Sequence, residues 1–183
     1  MSQDGDSALN KVPTGIRGLD DILDGGFPRG RPTLVCGGAG CGKTTMGMEF
    51  LAHGAREEEE PGVFVSFEER TADLKENFAS MPWGLPRLVE EDRLRVLHMG
   101  VQPNEVKETG DFGLDGIFVR LEAAVDAIGA RRVVLDTVEV LLSAFDRAEI
   151  VRAELRRLFG WLKDRGLTAI ITGEKGRNAL TRH

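Results

Sequence analysis

The sequence predicts an α/β fold in three layers, a mostly parallel central sheet with helices on both faces. Three observations predict it. Short apolar segments alternate along the chain with longer ones of helical spacing, the pattern of strand and crossover helix. One apolar segment leads directly into a glycine-rich loop that opens a helix. The 183 residues are 41% hydrophobic, enough for one packed core and too little for two.

Residues 1–12 are polar and read as a flexible leader, so the domain is expected over 13–183. Thr14–Gly30 is dense in Gly and Pro, with one turn of helix at Leu19–Leu23. Thr33–Cys36 is the first strand. Lys43 to about Arg56 carries Met46, Phe50 and Leu51 at helical spacing. Glu57–Glu60 is a run of like charge and reads as solvated surface before the turn at Pro61-Gly62. Val63–Phe67 is β-rich and makes the second strand.

Thr71–Ser80 is expected to be a helix with Thr71 as N-cap. Leu94–His98 is the third strand, and Asn104–Gly113 a polar loop. Leu114–Ile128 is a helix with Gly129 as its C-cap. Arg132–Asp136 is the fourth strand. Ala148–Arg165 is an amphipathic helix with Val151, Leu155, Leu158 and Leu162 on one stripe. Leu167–Thr172 is the fifth strand, followed by a polar tail. Right-handed crossovers put the C-terminal ends of parallel strands on one edge, and ligands bind there.

The net charge of −6 argues against broad nucleic-acid binding, which needs basic surface. Arg152, Arg156 and Arg157 form a local basic cluster that reads as a solvated helix face paired with Glu149 and Glu154. Cys36 and Cys41 match no zinc spacing and read as reduced thiols. The histidines His53, His98 and His183 share no metal-ligand spacing. No apolar run approaches a membrane span and the first residues have no signal-peptide core. A cytoplasmic protein without a membrane partner is therefore expected.

Gly37–Thr44 fits G-x-x-x-x-G-K-[ST] without a gap. Gly38, Ala39, Gly40, Cys41 and Gly42 let the backbone wrap anionic oxygens and turn its N–H groups inward. The following helix adds its dipole. Lys43 is expected to reach the β- and γ-phosphates, and the Thr44 hydroxyl to ligate Mg²⁺. Thr45, next on the helix, is counted with the cradle. ATP and Mg²⁺ are thus the expected cofactors. Cys41 is read as a spacing residue rather than a nucleophile.

Asp136 ends an apolar strand at the ligand edge, where a carboxylate holds the Mg²⁺ shell, usually through water. Glu68 and Glu69 follow directly on the second strand and lie at the same edge. A carboxylate there orients and deprotonates the attacking water in ATP hydrolysis. Spacing alone leaves a solvated turn equally open for this pair.

With these residues in place, the chain resembles the KaiC family of RecA-type ATPases, and within it the N-terminal (CI) ATPase domain. The matching pieces are Thr14-Gly15 with Leu19-Asp20, Gly25-Gly26, Pro28 and Gly30; the P-loop Gly37–Thr44; Glu60–Glu69; Ala130–Asp136; and Val151-Arg152 with Glu154-Leu155 and Arg157-Leu158. The resemblance implies a RecA-like P-loop NTPase fold. It makes Glu68 and Glu69 the catalytic carboxylates, with Lys43, and it places Ser80 beside the nucleotide. It further implies a homo-oligomer, a hexameric ring with ATP between subunits, acting with clock or signalling partners. Some members phosphorylate their own Ser/Thr residues. A domain of that family continues past the fifth strand with more strands that carry trans-acting Lys and Arg. Here the sequence stops at His183, so those C-terminal strands, the cations and the phosphorylated Ser/Thr pair of the second domain are expected to be missing from it.

Three functions compete at this point. One is a slow Mg-ATPase of the KaiC type, with Ser/Thr kinase activity only by family analogy. The second is an ATP-binding regulatory or assembly module without turnover, which the short chain favours. The third, a RecA-like DNA recombinase, is opposed by the charge and by the absence of an obvious basic loop. Asp111-Phe112-Gly113 resembles a protein-kinase motif, but none of its companion motifs is present.

Overall fold

The computed structural model of the chain describes residues 9–100, 114–143 and 148–174. Two short strands, β1 (Lys11–Val12) and β2 (Phe27–Pro28), flank one helical turn, α1 (Leu19–Ile22), and pair antiparallel. The chain then runs β3 (Pro32–Gly37), α2 (Lys43–Glu57), β4 (Gly62–Ser66), α3 (Thr71–Asn77), α4 (Leu85–Glu90) and β5 (Leu94–His98). It continues as α5 (Asp115–Ile128), β6 (Arg132–Asp136), α6 (Val138–Ser143), α7 (Ala148–Asp164) and β7 (Thr168–Glu174).

Strands β3 to β7 form one parallel sheet in the order β3-β7-β6-β4-β5. Side chains alternate across it. Val63 and Val65 of β4, Val133 and Leu135 of β6, and Ala169 and Ile171 of β7 meet α5, α6 and α7 on one face. Phe64, Val134 and Ile170 meet α2, α3 and α4 on the other. A sheet buried on both sides needs apolar strands throughout, and those strands have them. The α/β architecture with a parallel sheet is as the sequence predicts, and so is the αL glycine cap at Gly129.

Register decides where the chemistry can sit. Gly37 pairs with Glu174, Leu135 with Ile171, and Ser66 with both Asp136 and His98. The C-terminal ends of all five strands therefore share one edge.

The opposite edge is organised by Arg132, fully buried at the start of β6. Its guanidinium donates to Glu60 Oε2 at 2.7 Å, to the Pro13 carbonyl at 2.9 Å and to the Phe50 carbonyl at 3.0 Å. It also lies 4.6 Å over the Phe50 ring. Helix α2 comes this close only because residue 54 is glycine: a Cβ there would stand 2.3 Å from Arg132 Nε.

This corrects the reading of Glu57–Glu60 as solvated. Glu57, Glu58 and Glu59 are exposed, but Glu60 is buried and pairs with both Arg29 and Arg132. The other differences are local. Lys11 and Val12 belong to a strand, with Val12 fully buried, so the leader is shorter than expected. Thr71 is the first residue of α3 and Arg70 occupies the N-cap, with no side-chain cap bond. Helix α3 ends at Asn77, and α4 and α6 were not anticipated. The loop expected at 104–113, including Asp111-Phe112-Gly113, and the tail from residue 175 lie outside the described residues. The stripe of α7 faces the core, and on its outer side Arg157 pairs with Glu154 and Asp115.

Burial pushes the Glu60 carboxyl up, but the hydrogen bonds from Arg29 and Arg132 outweigh it and hold the group below its usual range. Glu60→Gln should cost about 3 kcal/mol in denaturant unfolding at neutral pH, because it leaves a buried guanidinium uncompensated. A lowered folded pKa makes the contribution complete above the ordinary glutamate value of about 4.3 and loses it as pH falls through the lower folded value. The parent's acid-side fall in stability should accordingly be shallower in the variant.

Candidate functional site

Strand β3 ends at Gly37 and α2 begins at Lys43, with the loop 38–42 between them. Gly40 and Gly42 sit at φ of 71° and 91°, where side-chain-bearing residues are strained. A Cβ on Gly38, Gly40 or Gly42 would meet nothing within 4 Å, so the space over the loop is open. Gly42 gives α2 no side-chain cap, and the first turn carries no acidic residue. The first N–H groups of the helix are thereby left for an anion. Lys43 is buried, and its ammonium arches over the loop, donating to the carbonyls of Gly37 at 3.0 Å and Gly38 at 2.9 Å.

Asp136 meets the loop from the neighbouring elements. Its Oδ2 accepts from the Thr44 hydroxyl at 2.8 Å, and its Oδ1 accepts from the Thr172 hydroxyl. One carboxylate thus ties the start of α2 to β6 and β7. A hydroxyl and a carboxylate are hard oxygen donors, which suit magnesium. Among the described residues no three His, Cys, Asp or Glu gather to hold a metal by themselves. One carboxylate and one hydroxyl, with substrate phosphates completing the shell, is how Mg²⁺ is ordinarily held beside a nucleotide.

Two cavities meet over the loop. One, of about 340 Å³, is lined by Ala39–Thr45 together with Ser66, Glu68, Glu69, Asp136, Thr137 and Glu174. The other, of about 450 Å³, shares Cys41, Gly42, Lys43 and Thr45 and adds the apolar Ile16, Leu19, Val35 and Met46. Glu68 and Glu69 are both exposed on the wall of the first. The Glu69 backbone is fixed by Ser66 Oγ, which accepts from its N–H at 2.8 Å, and by a 2.9 Å contact between its carbonyl and His98 Nδ1. Ser80 is not brought in: it lies exposed in the turn after α3, outside the lining of both cavities.

Sequence reading missed Ser66, Thr137, Thr172 and Glu174. Ser66 and Thr137 stand at or just past the C-terminal end of a parallel strand, so the rule that selected Asp136 could have found them; Thr172, two residues inside β7, and Glu174 matter through the sheet order. It also missed Glu139, whose two carboxylate oxygens are buried with no protein hydrogen-bond partner. A Cβ on Gly173 would stand 3.0 Å from Glu139 Oε1 and 3.4 Å from Cys36 Sγ. Cys41 Sγ lies beside Gly37, the residue after Cys36. Successive strand residues point to opposite faces, so the two thiols are on opposite sides of the sheet. Both are free, as expected from their spacing.

The family model for the KaiC ATPase matches residues 12–183. The circadian clock protein KaiC2 of Synechocystis sp. is 54% identical over 175 residues, covering 96% of this chain and 31% of that protein. The circadian clock oscillator protein KaiC of Synechococcus elongatus is 41% identical over 168 residues, covering 92% of this chain and 32% of the relative. The chain thus spans about a third of the length of these curated relatives. Among solved structures, a KaiC-like protein from Pyrococcus horikoshii OT3 superposes with a TM-score of 0.79 at 32% identity, covering 94% of this chain and 74% of that one.

Burial raises the Glu139 carboxyl above its usual range; the nearby backbone N–H groups of Glu139 and Glu174 and the charge of Lys43 oppose the rise, and the charge of Glu174 adds to it. An acid raised by folding costs stability as pH climbs from the unfolded value, about 4.3, through the raised one. Glu139→Gln should remove that slope. Thermal unfolding followed from pH 4 to pH 8 should then show the variant gaining on the parent as pH rises. A constant difference would place the carboxyl in water.

Proposed function

We propose that this chain, which belongs to the KaiC family of ATPases, binds Mg-ATP in the cleft over Gly38–Thr45 and hydrolyses it. The observation that carries the reading is the convergence of Lys43, Thr44, Asp136, Glu68 and Glu69 on one cavity. Bound Mg²⁺ would neutralise charge on the phosphates, and Thr44 and Asp136 are the residues to hold it. The uncapped start of α2 and Lys43 would take the β- and γ-phosphate oxygens. To do so, the ammonium exchanges the two loop carbonyls for phosphate oxygens.

Glu68 or Glu69 would accept the proton of the attacking water as its oxygen bonds to the γ-phosphorus and the bridging oxygen leaves with ADP. Both are exposed at the cavity wall, where a water can reach them. The apolar cavity beyond Cys41 suits the base and sugar. By analogy with the relatives, the chain would work within a ring of identical domains in the cytoplasm, in a clock or other signalling role.

Phosphate release from Mg-ATP separates turnover from mere binding. Lys43→Ala should abolish both binding and hydrolysis. Glu68→Gln with Glu69→Gln should keep binding and lower the rate about a hundredfold or more. Tight binding without turnover in the parent would support a nucleotide-holding regulator instead. Unchanged hydrolysis in the double variant would sink the assignment of the base.

A further inference from the structure

Among the described residues, buried side-chain polar atoms without a hydrogen-bond partner in the protein belong to Arg132, Thr137 and Glu139. Native interiors leave few such atoms, and each asks for a reason. Arg132 stands at the far end of β6. The other two follow directly on Asp136, at the edge where the cavity opens. Thr137 is the more telling. It is 7% exposed, its Oγ1 is unpaired, and it lines the polar cavity but not the apolar one.

The two cavities give the site a direction. They share the loop residues Cys41, Gly42, Lys43 and Thr45. A nucleotide with its base in the apolar cavity runs its phosphates along the loop toward Thr44 and Asp136. Whatever lies past Asp136 faces the last phosphate. The wall there is made of Ser66, Glu68, Glu69, Glu174 and Thr137. The three carboxylates repel a phosphate, and of the two hydroxyls Ser66 Oγ is already engaged by the Glu69 N–H while Thr137 Oγ1 has no partner.

We propose that the Thr137 hydroxyl donates a hydrogen bond to the terminal phosphate of the bound triphosphate, and so tells ATP from ADP. This rests on the nucleotide-binding reading above. The hydroxyl is well placed for such discrimination because its backbone is anchored on both sides. Val138 and Leu141, which follow it, are buried in the core on the α5–α7 face. On the other side Asp136 is fixed by Thr44 and Thr172. A β-branched side chain adds its own stiffness at χ1. A buried hydroxyl without a ligand partner is unsatisfied, and a triphosphate supplies the acceptor that a diphosphate lacks.

The test is calorimetric titration of Mg-ADP and of the non-hydrolysable Mg-β,γ-imido-ATP into the parent, Thr137→Ser and Thr137→Val. Hydrogen bonds to charged groups set the scale at about tenfold or more in affinity. Thr137→Val should lose about that factor for the imido-triphosphate and leave ADP within twofold, while Thr137→Ser keeps the parent's preference. Equal losses for both ligands, or none for either, overturn the proposal and leave Thr137 as a packing residue or the holder of a structural water. Because Val is nearly isosteric, an unfolding midpoint measured beside the titration separates misfolding from a lost contact. If Thr137→Val misfolds, the Ser variant and Thr137→Ala carry the same comparison. A parent that binds neither ligand overturns the nucleotide reading itself, and this proposal with it.

Discussion

One guanidinium, that of Arg132, gathers four separate segments at the lower edge of the sheet. It holds the chain just after β1 through Pro13, α2 through Phe50, the turn before β4 through Glu60, and it is itself the first residue of β6. Burying such a charge costs several kcal/mol, which its partners offset only when the geometry is right. Its value therefore lies in specifying one arrangement. Gly54 shows the strictness: any side chain there would collide with the guanidinium. Asp136 is four residues along the same strand, about 13 Å away at ~3.3 Å per residue. Helix α2 is thus fixed to β6 at both ends, by Arg132 below and by the Thr44–Asp136 hydrogen bond above. The loop 38–42 inherits its position in part from a contact at the opposite edge of the sheet.

The upper edge has the opposite electrostatic character. Glu68, Glu69, Asp136 and Glu174 line the polar cavity, against the single ammonium of Lys43. Backbone N–H groups and the dipole of α2 add partial positive charge, but not enough to cancel four carboxylates. A bare triphosphate would be repelled. A divalent cation resolves this, since it neutralises charge on both the phosphates and Asp136. The Glu139 carboxyl is raised first by its burial, and the charge of Glu174 adds to the rise. On the proposed reading, such a site would favour the metal complex of the nucleotide over the nucleotide alone.

What was legible in the sequence was whatever local pattern carries. The P-loop, the five apolar strands and Asp136 all announce themselves within a dozen residues. What was not legible depends on neighbours far along the chain. Thr172 and Glu174 matter because β7 lies between β3 and β6, and nothing local in the sequence states that order. Glu60 was misread because it closes a run of four glutamates, three of which are solvated. Its difference comes from Arg29 and Arg132, 31 and 72 positions away. The elements missed outright, β1, β2, α4 and α6, span six residues or fewer. That is too short for periodicity to register, and α4 carries a proline in its first turn besides.

The sheet order also determines how the site comes together. The loop strand β3 and the carboxylate strand β6 do not pair with each other; β7 stands between them and pairs with both. Gly37 is registered against Glu174, and Asp136 is held by Thr172, so the last described strand supplies the ruler for the first and the fourth. Until β7 docks, Lys43 and Asp136 have only α2 to relate them. Any ligand that bridges the loop and Asp136 must therefore favour the state with β7 in place, by its differential affinity for that state. Binding at the cradle and completion of the sheet are two readings of one equilibrium, and the Thr44–Asp136–Thr172 chain of hydrogen bonds is where they meet.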